Sequence, residues 1–166
     1  MQHYEHDLID DEVTDYFFKT NHNIFYVIEF KPTGYIFGNE YIWSHNCFEF
    51  SIKLSEKSPQ NPPPDSLIPP TIVAIFQHFC QDKEKVIFYM CDTSDRRHLA
   101  RFRKFDRWFK QFNIQENFIK IDRSFSDKKQ NTTYYNSLII QDSNFYKSEI
   151  IEAFEELVDG IEEEEK

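Results

Sequence analysis

The chain has 166 residues, 40% of them hydrophobic and 29% charged, with 29 acidic against 19 basic side chains and a net charge of −10. That length predicts one domain burying roughly two thirds of its unfolded surface, and the composition excludes global disorder. No apolar run reaches the roughly 18 residues that span a bilayer, and the acidic start MQHYEHDLIDDE lacks the basic and apolar regions of a secretion signal. Cys47, Cys80 and Cys91 are odd in number and never form a CxxC pair, which points to a reducing cytoplasm and away from a disulfide framework or structural zinc.

Phe and Ile occur 18 times each and Gly only three times, a composition that suits pleated, half-buried strands. Residues 1–15 carry six acids and no Lys or Arg, and read as a flexible acidic arm. Asp15 to Thr20 and Ile24 to Lys31 flank the polar turn Asn21-His22-Asn23, the pattern of a hairpin. Gly34 and Gly38 bracket a short strand or wide turn. Residues 47–54, CFEFSIKL, alternate with period two, as in a strand wet on one face.

Residues 55–70 hold six of the seven prolines and predict a stiff connector. Pro69-Pro70 then opens a helix over Thr71 to Cys80, with Ile72, Ile75, Phe76 and Phe79 at helical spacing. Val86 to Cys91 is a continuous apolar run, the mark of a strand covered on both faces. Asp92-Thr93-Ser94-Asp95 follows as a capping turn, and a helix runs from about 97 to 112. Phe118 to Arg123 and Thr133 to Gln141 read as strands. A last amphipathic helix, stopping near Gly160, precedes an acidic tail at 162–166. The expected fold is therefore α+β: a mostly antiparallel sheet of about 5–6 strands with three helices, in the order β-β-β-α-β-α-β-β-α, forming a single domain over 16–161.

Five of the six arginines, Arg96, Arg97, Arg101, Arg103 and Arg107, lie between positions 96 and 107. With Lys104, Lys110 and Asp106, the 96–110 stretch carries +6 and the rest of the chain −16, a polarity that steers charged partners. Turning at 100° per residue puts Leu99, Phe102, Phe105, Phe109 and Phe112 on one apolar arc with His98 inside it. Arg97, Arg101, Lys104 and Trp108 line one flank, and Arg96, Arg103, Arg107 and Lys110 the other. Arg forks hold phosphate or carboxylate bidentately, so Thr93, Ser94, Arg96, Arg97, Arg101, Lys104, Arg107 and Trp108 form the candidate anion- or partner-binding set. The bland alternative pairs these cations with the acidic segments 1–15 and 149–166. The overall negative charge counts against non-specific nucleic-acid binding.

No nucleotide, hydrolase, zinc-protease or calcium motif is present. Glu29-Phe30-Lys31, with Asp15 one strand earlier, has the ExK spacing of metal-dependent nucleases, although alternating strands produce that tripeptide freely. Asp92, Asp95 and His98 could form an acid–base set, but capping and a half-buried histidine explain them more simply. His3 and His6 with Asp7 read as incidental, and Cys91 as a small hydrophobe. No metal or other cofactor and no catalytic residue is expected.

The stretch Val86 to Phe109, VIFYMCDTSDRRHLARFRKFDRWF, resembles the signature of a family of small bacterial proteins known only as a domain of unknown function. The resemblance takes in DYFFKTNHNIFYVIEF and YYNSLII, and implies the fold and a cytosolic location, with no assigned chemistry. More distantly, the strand, Ser/Thr-bearing turn and arginine-opened helix resemble other uncharacterised bacterial domains linked to toxin–antitoxin or defence loci. The resulting expectation is a non-catalytic interaction module that presents the 92–110 turn and helix to an anionic partner. The alternatives are an RNA- or nucleotide-directed enzyme using Arg97, Arg101 and His98, and an acidic inhibitor of the immunity type.

Overall fold

Val86 and Ile87, consecutive residues that point to opposite faces of a sheet, are both fully buried, and their strand lies between two neighbours. The computed structural model describes residues 2–10, 14–38, 40–56, 58–59, 62–91, 93, 96–112, 117–127, 129 and 131–164. Its strands are β1 (His6–Asp10), β2 (Asp15–Lys19), β3 (Phe25–Pro32), β4 (Cys47–Leu54), β5 (Val86–Met90), β6 (Phe118–Asp127) and β7 (Thr132–Gln141). Its α-helices are α1 (Ile68–Phe79), α2 (His98–Phe112) and α3 (Lys147–Glu164). The strands form one mixed sheet in the order β1-β2-β3-β4-β5-β7-β6, and the chain divides into two compact units.

The first unit comprises residues 1–31 and 50–82. Here β1 and β3 both pair antiparallel with β2. The β2–β3 turn closes through Thr20 and Ile24, with the Thr20 N–H donating to the Ile24 carbonyl at 2.9 Å. Asn23 sits at φ 57, a left-handed conformation that asparagine tolerates. Tyr16, Phe18, Ile28, Phe30 and Phe50 alternate onto the face that α1 covers with Ile72, Ile75, Phe76 and Phe79. Phe30 and Phe79 stack at 3.8 Å between ring centroids. As expected, prolines occupy the first turn of α1, where a missing N–H costs nothing.

The second unit comprises residues 32–49 and 83–166. Two 3₁₀ turns, Gly34–Phe37 and Ile42–Asn46, stand where a strand or wide turn was expected. They approach so closely that a Cβ on Gly34 would lie 1.9 Å from the Ser44 carbonyl oxygen, so glycine is required there. The start of β4 runs parallel to β5. β7 is antiparallel to both β5 and β6. Val86, Leu138 and Ile140 pack against Ile150, Ala153, Phe154 and Val158 of α3. Alternation turns Tyr89, Tyr135 and Lys120 to the opposite face, where Phe105 and Phe102 of α2 meet them. In this unit, therefore, α2 and α3 cover opposite faces of one sheet.

The fold is α+β and mostly antiparallel, with the three expected helices, but the strand count is corrected to seven and the order to β-β-β-β-α-β-α-β-β-α. The added strand is β1, inside the segment read as an acidic arm. Charge says nothing about backbone pairing, and HDLID pairs with β2 in spite of its two carboxylates. Tyr4 ties the segment down further, its hydroxyl donating to Asp65 at 2.7 Å and its N–H to the Thr71 hydroxyl at 2.9 Å. α3 also continues past Gly160 to Glu164, because a glutamate run propagates a helix well and one glycine costs only about 1 kcal/mol.

Candidate functional site

The site begins where β5 ends. The Cys91 N–H donates to the Tyr135 carbonyl at 3.1 Å, and the Arg96 N–H closes a turn onto the Thr93 carbonyl at 3.1 Å. Arg96 adopts φ 60, a left-handed conformation costing a non-glycine residue roughly 1–2 kcal/mol. The capping role expected of Asp92, Ser94 and Asp95 falls outside the described residues, as does Ser94 as a binding residue. From His98 onward the helix is regular, and its outward and inward faces differ sharply.

Inward, Phe105 is buried and packs on Tyr89 at 4.5 Å between centroids. His98 and Phe102 stack on Tyr135 at 5.8 and 5.1 Å. The expected apolar arc does face the sheet. Sequence reasoning missed what lies beneath it, a polar cluster centred on Lys120, whose side chain is only 4% exposed. Its ammonium donates to Asp106 at 3.3 Å and to Asp122, and lies over the Phe102 ring at 5.0 Å. The Ser137 hydroxyl donates to Asp122 at 2.7 Å. Asp106 also accepts from Lys110 at 2.8 Å. Burial alone would raise the Asp106 pKa, but the Lys110 bond and the Lys120 charge outweigh it and hold the carboxyl below its ordinary value. The signal for this cluster was the Lys-Ile-Asp alternation at 120–122, which puts Lys120 and Asp122 on one face of the strand.

Because Asp106, the one acid on α2, is turned to Lys120 and Lys110, the outward face is purely cationic. Arg96, Arg103, Lys104 and Arg107 are exposed, and among the described residues Arg103 and Arg107 form no ion pair. The Lys104 ammonium lies over the Trp108 ring at 4.9 Å. Lost hydration there, with Arg97 close by, lowers its pKa. Arg97 and Arg101 share that flank as expected, but each is engaged in contacts of its own. Arg101 also acts on Cys91 and Tyr89, where burial raises both pKa values and the guanidinium offsets part of the rise. A buried thiol with a raised pKa is a poor nucleophile, in keeping with Cys91 as a core residue.

The weaker candidates lie elsewhere. Asp15 and Glu29 face each other across β2 and β3, but Glu29 is occupied by Lys53 at 2.6 Å, Lys31 at 3.4 Å and the Ser51 hydroxyl at 2.9 Å. His3 and His6 adjoin one another at 5.6 Å between centroids. Among the described residues no group of three or more His, Cys, Asp or Glu is placed to hold a metal ion. None of the helices, over the same residues, is long and apolar enough to cross a membrane.

A family profile described as a family of unknown function, DUF6169, matches residues 64–156, more than half of the chain. The chain belongs to that family. The DUF6169 match begins just before α1 and ends within α3, so it contains α2, the polar cluster beneath it and the sheet that both helices cover. The early hairpin of β2 and β3 lies before it. No curated protein and no solved structure matches the chain.

Proposed function

We propose that this protein is a non-catalytic interaction module that holds an anionic protein surface on the outward face of α2. The observation that carries the reading is the inward turn of Asp106. Among the described residues, it leaves the exposed Arg103 and Arg107 without a carboxylate partner. Of the two acidic segments that the alternative pairs with these cations, the described side chains of 149–161 belong to α3, which covers the opposite face of the sheet. Arg is suited to this role because its planar fork binds carboxylates bidentately and is weakly hydrated. A carboxylate surface on a protein suits the site better than nucleic acid, since the −16 carried by the rest of the chain repels a dense polyphosphate. A cytosolic setting for this chain, in a toxin–antitoxin or defence locus, is part of this proposal.

The test is binding of fluorescent poly-glutamate, followed by anisotropy at low salt. Wild type should bind, and Arg103→Glu/Arg107→Glu should weaken binding at least tenfold while melting unchanged. An unaltered affinity in that variant would remove the reading.

A further inference from the structure

The outward face of α3 mirrors that of α2 with the charge inverted. Glu149, Glu152, Glu156 and Asp159 are all exposed, and at 100° per residue they fall within an arc of about 80° opposite the buried Ile150 and Phe154. Among the described residues none of the four forms an ion pair. Glu155, just off the row, is taken by Arg123. The row acts as a field on its surroundings: the Tyr41 phenol is pushed up, first by lost hydration and then by Glu156, Glu149 and Glu152 together with Glu40.

We infer that the partner held by α2 is a second copy of this chain, which presents the acidic row of its α3, so that copies associate head to tail. The inference rests on the reading of α2 as a surface for carboxylates. Within one copy the two rows cover opposite faces of the β5–β7–β6 sheet, so only another molecule brings them together. Their spacing matches as well as their sign. Arg103 and Arg107 are four residues apart, and so are Glu152 and Glu156, each step rising about 6 Å along its helix. Two helices laid side by side therefore seat two Arg–Glu pairs in a single register. The contact joins unlike faces, so each added copy leaves one free α2 and one free α3. Assembly then grows as an open chain or closes into a ring. Exposed pairs are individually weak, so the association is salt-sensitive and rises with concentration.

Sedimentation of the full chain tests this. At about 0.1 M salt, where screening extends about 10 Å, the average mass should climb with concentration above 20.2 kDa. At about 1 M, where it shrinks to about 3 Å, only the monomer should remain. Arg103→Glu/Arg107→Glu and Glu152→Lys/Glu156→Lys should each stay monomeric alone. An equimolar mixture should associate again, because the intact α3 of the first meets the intact α2 of the second. If a reversal fails to fold, Arg103→Gln/Arg107→Gln and Glu152→Gln/Glu156→Gln carry the same test. A wild type that stays monomeric at low salt, a reversal that leaves association intact, or a mixture that stays monomeric would each overturn the inference. Poly-glutamate separates this failure from that of the underlying reading: a monomeric wild type that still binds it sinks self-association alone, and one that does not sinks both.

Discussion

On one face of the β5–β7–β6 sheet, Val86, Leu138 and Ile140 lock against Ile150 and Phe154 of α3 with every side chain nearly or fully buried. On the other face, the alternate residues of the same strands place Tyr89, Ser137 and Lys120 under α2, whose one buried residue is Phe105. The apolar face supplies most of the hydrophobic free energy of this unit. The polar face holds its helix by a few rings and one buried cation. Such a division fits a scaffold helix and a presented helix, the second free to spend most of its surface on charge.

Cutting each face at its centre should show the difference most strongly. Phe154→Ala should cost about 3–5 kcal/mol in chemical denaturation, as buried Phe truncations do. If it costs no more than changes under α2, the apolar face is not the scaffold. Lys120→Met keeps the stem and removes the charge, and should cost about 2–3 kcal/mol. That is below the 3–5 typical of breaking a fully buried pair, because Asp106 and Asp122 still reach water. The same variant should loosen α2 selectively, seen as faster amide exchange over 98–112 with α3 unaffected.

The pH dependence of stability gives a finer cut. Asp106 is held below its ordinary value of 3.8 in the folded state, so its contribution is full above the unfolded pKa and is lost as pH falls through the lower folded one. Acid should therefore destabilise wild type below about pH 4 more steeply than it does Asp106→Asn, as followed by melting. Parallel acid curves would show that the carboxylate does not tether the helix. The smallest effect belongs to the outward face. Arg103→Glu/Arg107→Glu should shift stability by only about 0–1 kcal/mol per residue, whatever it does to binding.

These contrasts were only partly legible in the sequence. Turning at 100° per residue placed Phe102, Phe105 and Phe109 inward and the arginines on the flanks, because a regular helix obeys that geometry wherever it sits. Asp106 was countable but not placeable: one acid among seven cations reads as a deduction from the total until a partner draws it inward. That partner, Lys120, was hidden because an alternating strand shows which residues share a face but not whether a helix covers it. β1 was hidden for a related reason, since backbone pairing with β2 leaves no mark in an acid-rich stretch.

The pairing of β4 with β5, Cys47 opposite Val86 and Glu49 opposite Phe88, also bears on the order of assembly. The β2–β3 and β6–β7 pairs are hairpins, which close within about 1–10 μs. Parallel neighbours cannot form in that way, because the chain between them must first travel the length of a crossover. β5 is thus placed late, once the stretch from 50 to 85 has closed its loop, and its other partner, β7, is more remote still in sequence. Refolding should be paced by the insertion of this one five-residue strand. Ile28→Val, in a hairpin already closed before that step, should slow folding in proportion to its equilibrium cost, while Ile87→Val, in the strand placed late, should divide its cost between slower folding and faster unfolding.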